Sequence, residues 1–144
     1  MIWFKKYDIQ EVIKSFGDTM ITSLGIHDFT LGDNFISARF TIDKRHIQPM
    51  QILHGGCSVV LAETLGSVAA GLVVDSTKYY CVGLDINANH LRQAKIGETI
   101  TGKATPIHIG RKTQVWNIEI TNEEDKMVCV SRLTMAVLPI NPKN

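Results

Sequence analysis

Residues 48–67 read Gln-Pro-Met-Gln-Ile-Leu-His-Gly-Gly-Cys-Ser-Val-Val-Leu-Ala-Glu-Thr-Leu-Gly-Ser, and this stretch decides the fold. A loop with one proline leads through His-Gly-Gly into an apolar run whose only carboxylate is Glu63. Glycines that open a helix leave bare backbone N–H groups, which can bind an anion or a developing oxyanion. A lone carboxylate in an apolar helix is costly to ionise without partners, so it is often there for chemistry. The pattern predicts acyl transfer.

The apolar run at residues 55–74 is also about as long as a bilayer-spanning helix. Glu63 near its middle and the absence of a flanking basic cluster argue against insertion. The run contains five small residues that would let other elements pack closely, namely Gly66, Ser67, Ala69, Ala70 and Gly71. We therefore expect a buried central helix and no membrane insertion.

Composition favours an ordinary globular protein. The 144 residues are enough for a single domain, expected over residues 1–144, with 44% hydrophobic and 20% charged residues. A net charge of +1 and the lack of a basic, aromatic-interleaved stripe predict no nucleic-acid partner. The three cysteines are widely spaced and favour reduced thiols, and the N-terminal charges are in the wrong order for a secretory signal. We expect a cytoplasmic protein.

The other elements follow from apolar periodicity and turn signals. They are a helix at residues 9–16, a turn at 22–25, and strands at 26–31, 35–42, 79–91, 99–109, 113–121 and 127–138, with a loose tail from about 139. One long buried helix followed by long antiparallel strands predicts an α+β fold in which a curved sheet wraps around the helix.

The ordered set Gln48, His54-Gly55-Gly56, Glu63 and Ser67 resembles the active-site signature of hotdog-fold acyl-CoA thioesterases that carry a catalytic Glu on the central helix. Residues 82–90 and 114–116 further resemble the 1,4-dihydroxy-2-naphthoyl-CoA hydrolases of menaquinone biosynthesis. The resemblance extends from residue 1 to about 138. It implies a hotdog fold and a hydrolase of acyl-CoA thioesters. It also implies no metal and no separate cofactor, because coenzyme A is part of the substrate.

The resemblance gives each residue of this set a role. Gly55 would donate its backbone N–H to the thioester carbonyl, and Glu63 would attack the carbonyl or activate a water. Ser67, four residues after Glu63, would hold that carboxylate or the water. Gln48 would add a side-chain donor, and His54 would shape the loop. Purely structural roles, as a turn glycine, a bonded carboxylate or surface polar residues, are the alternatives.

The spacing of Gly55 and Glu63 has a consequence for assembly. Eight residues of one helix separate them by about 12 Å. An attacking oxygen and an oxyanion donor must both lie about 3 Å from one reacting group. If both residues act on one thioester, a second copy of the chain must supply one of them. The spacing therefore predicts a homodimer with composite sites, and the resemblance adds a dimer of dimers, a homotetramer.

The resemblance also implies contacts to the coenzyme A portion of the substrate. These positions are Gly83, the run His90, Leu91, Arg92 and Gln93, and the run His108, Ile109, Gly110, Arg111, Lys112 and Thr113. The cationic side chains in both runs are chemically suited to phosphates. Ordinary charges at strand ends are the alternative, and His90 could instead be a core or interface histidine.

Other chemistries lack their usual marks. Residues 56–60 do not complete a GxSxG elbow, and no GxGxxG, Walker or HExxH motif is present. The histidines lack metal-ligand spacing, and we expect Cys57 to be an inert thiol. Two further functions stay open: broad-specificity hydrolysis of aryl- or fatty-acyl-CoA, and a non-catalytic acyl-CoA-binding hotdog domain. The latter would not need Glu63.

Overall fold

The computed structural model describes residues 1–140. Its helices are α1 (Ile9–Lys14), α2 (Met20–Ser23) and α3 (Gly55–Leu72), and its strands are β1 (His27–Leu31), β2 (Ile36–Thr41), β3 (Tyr79–His90), β4 (Thr99–Ile109), β5 (Thr113–Thr121) and β6 (Met127–Pro139). The loose tail predicted from about residue 139 falls mainly on residues 141–144, which lie outside the described residues. β6 itself continues through Pro139.

The strands form one antiparallel sheet in the order β1-β2-β4-β5-β6-β3, and α3 packs against five of them. Alternation of buried and solvent-facing residues along β5 places Trp116, Ile118 and Ile120 on the helix side. Small residues bring the two layers together. A Cβ at Gly66 would lie 2.5 Å from Leu133, which leaves room for glycine alone. The predicted sheet wrapped around a central helix is confirmed.

Helix α3 is buried on one face only. Its buried side chains are Ser58, Leu61, Ala62, Leu65, Ala69, Ala70 and Leu72, whereas Glu63 on the opposite face is exposed. The helix is long and apolar enough to cross a membrane, but half of its residues are buried inside the protein. Within the described residues α3 is therefore the core helix of the fold, with one face left open in the single chain.

The predicted turn at residues 22–25 is wrong in part. Met20–Ser23 forms the short helix α2, because Thr19 and Thr22 form a capping box that satisfies its first turn. Only Gly25 turns the chain into β1, with a φ of +63° that favours glycine. A helix of four residues is too short to show an apolar periodicity in the sequence.

Strand β3 lies at the sheet edge and pairs only with β6 among the described strands. It is 12 residues long and exposes the apolar side chains of Tyr79, Tyr80, Val82 and Leu84. The register with β6 shifts between Gly83 and Asp85, so Leu84 occupies a bulge. A long apolar edge is a template on which another chain can add a strand.

Candidate active site

The loop of residues 46–56, called the Gly55 loop below, presents one free backbone donor at the start of α3. His54 is the N-cap residue: its Nδ1 accepts the Gly56 N–H at 2.8 Å, and its carbonyl accepts the Cys57 N–H at 2.9 Å. Within residues 1–140 the Gly55 N–H has no hydrogen-bond partner. Gly55 therefore offers an unused donor at the positive end of the α3 dipole.

Gln48 is oriented by a tight turn in the same loop. The Gln51 N–H donates to the Gln48 carbonyl at 2.8 Å, and Gln51 has a left-handed φ of +63°. The side-chain oxygen of Gln48 accepts the Met50 N–H. This bond occupies the acceptor end of the amide and leaves its NH₂ group without a partner among the described residues, so Gln48 can act as a second donor.

A pocket of about 550 Å³ collects the Gly55 loop and the end of β3. Its lining includes Gln48, His54, Gly55, His90, Leu91, Arg92 and Gln93. A Cβ on Gly55 would lie 2.7 Å from the His90 ring, so this position requires glycine for the ring to approach. The structure thus brings together three of the predicted catalytic residues and the first predicted coenzyme A run in one place, called the Gly55 pocket.

Glu63 and Ser67 line a separate pocket of about 300 Å³, called the Glu63 pocket. The Glu63 carboxylate forms no hydrogen bond or ion pair with another residue of the described chain and faces Gly83, where a Cβ would lie 3.2 Å from Oε1. Ser67 Oγ donates a long hydrogen bond to Met135 Sδ at 4.0 Å. Ser67 therefore shares the pocket with Glu63 but does not bond to it.

The sequence pattern indicates no role for residues 20–29, although in the fold implied by the resemblance such segments often border the acyl pocket, and two of these residues form one wall of the Glu63 pocket. Met20 and Ile21 of α2 close it opposite Val60 and Val68 of α3. Met20 is 62% exposed, an unusual position for a large apolar side chain in a short connecting helix. An apolar pair beside the Thr19 cap is the signal in the sequence that could have indicated this wall.

The second predicted coenzyme A run lies elsewhere on the single chain. His108, Gly110, Arg111, Lys112 and Thr113 line a pocket of about 870 Å³ at the β4–β5 turn, and Ile109 lines the adjoining one. Tyr79, at the start of β3, borders both pockets. Within one chain the two predicted runs are therefore not brought together, and Gly83 lies with Glu63 rather than with either run.

The thiols are poor nucleophiles at neutral pH. Burial raises the pKa of Cys57, Cys81 and Cys129 above the usual thiol value, so each is mainly protonated. In residues 1–140 no three His, Cys, Asp or Glu side chains gather as a metal site would require. Among the described residues, neither a reactive thiol nor a metal cluster accompanies the exposed Glu63 carboxylate in its pocket.

Known proteins share this fold. The thioesterase superfamily model matches residues 50–129. The 1,4-dihydroxy-2-naphthoyl-CoA hydrolase of Escherichia coli is 43% identical over 96% of this chain and 100% of its own length. The crystal structure of a Haemophilus influenzae thioesterase superposes with a TM-score of 0.93 at 42% identity over the whole of both chains. The crystal structure of a mutant thioesterase from Pseudomonas aeruginosa also superposes with a TM-score of 0.93. It is 43% identical and covers 97% of this chain and 100% of its own chain.

Proposed function

The chain belongs to the thioesterase superfamily, and from that premise we propose that it hydrolyses aromatic acyl-CoA thioesters to the free acid and coenzyme A. The similarity to the E. coli hydrolase makes 1,4-dihydroxy-2-naphthoyl-CoA, and with it menaquinone biosynthesis, the first substrate to test. One observation carries the proposal. An unpaired carboxylate, Glu63, and an unpaired backbone donor, Gly55, lie on the same helix but in separate pockets.

These two groups can meet only across a pair of subunits. Eight residues along α3 separate them by about 12 Å, which is too far for one thioester. The exposed β3 edge supplies the contact surface, since two copies can extend one sheet by pairing antiparallel β3 strands about a two-fold axis. We infer that Glu63 of one subunit acts with Gln48 and Gly55 of the other.

The register of that pairing follows from which residues of β3 lie beside the catalytic groups. Gly83 lies against Glu63 and His90 lies against Gly55, so catalysis requires Gly83 to face the partner's His90. In a regular pairing, a Gly83–His90 pair would put the two-fold axis between residues 86 and 87. Because Leu84 bulges and has no residue opposite it, the axis moves to Asn87, which then faces its own copy. Inward-facing Ile86 then lies opposite the partner's Ala88, and outward-facing Asp85 opposite the partner's Asn89. Each pair shares a face of the sheet, as antiparallel pairing demands.

The same register unites the two predicted coenzyme A runs. Beyond the Gly83–His90 pair, the partner's chain would leave its strand and run towards the start of β3, where Tyr79 borders the pocket that Arg111 and Lys112 line. Arg92 of one subunit thereby approaches the basic turn of the other. Three cations near one groove suit the phosphates of coenzyme A, while the acyl end reaches towards Glu63.

The proposed reaction needs no group beyond water. Glu63 takes a proton from a water whose oxygen bonds to the thioester carbon, and the carbonyl electron pair moves onto oxygen, where the partner's Gly55 N–H stabilises it. Collapse breaks the C–S bond, and the departing thiolate receives the proton from Glu63. In the nucleophilic variant the carboxylate attacks the thioester carbon, the C–S bond breaks and coenzyme A leaves as the thiolate. Water then hydrolyses the mixed anhydride to the free acid and the Glu63 carboxylate, and a proton from that water passes to the thiolate. Ser67 would position the water in either case.

A thiol-release assay tests the proposal. The panel contains 1,4-dihydroxy-2-naphthoyl-, 4-hydroxybenzoyl-, phenylacetyl- and medium-chain acyl-CoA. We expect kcat/KM to favour the hydroxylated aromatics; a flat or fatty profile would indicate a broad-specificity thioesterase instead. Glu63→Gln should lower kcat by about 10²–10⁴-fold with substrate binding retained. The matched control is Glu119→Gln, an exposed carboxylate on β5. No turnover by the wild type would favour a non-catalytic acyl-CoA-binding domain.

A further inference from the structure

We propose that His46 is a positioning residue that fixes the Gly55 loop in its working conformation; the inference rests on the proposed thioesterase function. His46 is fully buried, and its side chain does not border either the Gly55 pocket or the Glu63 pocket. A buried imidazole without contact to the site needs a reason, because burying its polar atoms is costly unless both are bonded.

Both ring nitrogens of His46 are bonded. Nδ1 accepts the Asp43 N–H at 3.0 Å, and Nε2 donates to the Leu24 carbonyl at 2.8 Å. The Asp43 carboxylate also lies 3.0 Å from Nδ1. The ring stacks on Phe40 of β2 with 4.5 Å between centroids and an interplanar angle of 12°. The bond to a carbonyl requires a proton on Nε2, so this nitrogen is the donor of the ring.

The backbone of the same residue holds the catalytic loop. The His46 carbonyl accepts the His54 N–H at 2.8 Å, and His54 in turn caps α3 and leaves the Gly55 N–H free. The Asp43 contact is local, whereas the Leu24 contact spans 22 residues and ties the loop to the end of α2. The exposed Arg45 guanidinium donates to the carbonyl of Ser23, the residue before Leu24. The Nε2–Leu24 bond therefore ties residue 46, and through it His54, to the end of α2, while the Leu53 N–H bond to the Ala94 carbonyl at 2.8 Å holds the loop on its other side.

Two amide variants separate the halves of the ring. In His46→Gln the side-chain NH₂ occupies the place of Nε2 and keeps the donor to Leu24; in His46→Asn the amide oxygen occupies the place of Nδ1 and keeps only the Asp43 contact. We expect the Gln variant to retain kcat within about threefold and the Asn variant to lose roughly tenfold in kcat, with KM changed less than threefold in both. Phe40→Leu is the control for lost packing and should leave kcat of the folded protein unchanged.

A second readout does not depend on turnover. The His54 amide hydrogen should exchange faster with solvent in His46→Asn than in wild type or His46→Gln, since its bond to the His46 carbonyl is loosened. Equal kcat in the two amide variants, or equal His54 protection, would overturn the proposal. Loss of both kcat and protection in Phe40→Leu would do so too, by showing that packing alone positions the loop. If wild type hydrolyses no thioester, the proposed function fails, while the exchange result still reports on the His46 link.

Discussion

Gly83 faces the Glu63 carboxylate across the α3–β3 contact: a Cβ at position 83 would lie 3.2 Å from Oε1, a contact tight enough to push the carboxylate aside. This relationship places the exposed carboxylate beside the bulge of the edge strand. It also links the catalytic hypothesis to the subunit interface, since Gly83 is the residue we place opposite the partner's His90.

The first prediction follows from that contact. Gly83→Ala should displace the carboxylate by a few tenths of an ångström and lower kcat by roughly tenfold, because misplaced reacting groups lose rate steeply. KM should change less. Gly71→Ala is the matched control on α3, where an added Cβ meets no atom within 4 Å. Steady-state kinetics check it, and equal kcat in the two variants would remove Gly83 from the catalytic arrangement.

The second prediction concerns His54, whose imidazole is of a type that often acts as a general base. Its Nδ1 accepts a hydrogen bond from the Gly56 N–H, so the side chain caps the start of α3. His54→Asn should keep the cap and retain kcat within about threefold, whereas His54→Ala should cost about 1 kcal/mol of helix stability and lower kcat. Thermal melts and kinetics on both variants provide the test. An inactive, fully folded Asn variant would restore the general-base role.

The third prediction tests the β3 register. Asn87→Cys places two thiols directly opposite each other at the two-fold axis, where Cα atoms of paired residues lie about 4.5–5.5 Å apart, within disulfide range. Mild oxidation should give a covalent dimer on a non-reducing gel. Asp85→Cys alone should not, because its own copy lies four residues further along the partner strand.

Asp85→Cys combined with Asn89→Cys supplies the positive control, since this register sets the two positions opposite each other. Cross-linking by Asp85→Cys alone, with none by Asn87→Cys, would show that the axis lies at another residue. An active monomer by light scattering would refute the composite site altogether.

How much the sequence predicts depends on the range of the interactions. The bounds of β4 and β5 match the predicted ranges, because turns rich in Gly, Asn and charged residues mark both ends. The bulge at Leu84 is not visible in the pattern, since it arises from pairing with β6. The sequence pattern also does not show the buried contact at the end of α3. There the Gln114 side-chain amide donates to the Ala70 carbonyl at 3.4 Å and accepts the Trp116 indole N–H at 3.0 Å.

The candidate site shows the same division. Gln48, His54 and Gly55 are close in sequence and meet in one pocket as expected, because a single loop and helix start carry them. The first coenzyme A run precedes β4 and the second begins at the end of β4, and the two lie apart in the single chain. In the proposed dimer their grouping depends on a second subunit, whose register rests on the bulge rather than on any local motif.

The last prediction concerns acyl selectivity. Met20 of α2 lines the Glu63 pocket, and its flexible thioether side chain limits the roughly 300 Å³ available beside the carboxylate. Met20→Ala should enlarge the pocket and raise kcat/KM for bulky two-ring acyl groups relative to one-ring groups by about tenfold, the scale of a few methylene contacts. Met50→Ala is the matched control, because Met50 is 73% exposed and its side chain borders neither the Gly55 pocket nor the Glu63 pocket. Competition assays with paired substrates measure the ratio directly. An unchanged ratio in Met20→Ala would show that the acyl group does not occupy the space beside α2. The aromatic end of the substrate would then lie on the other side of Glu63, towards Gly83 and the partner strand.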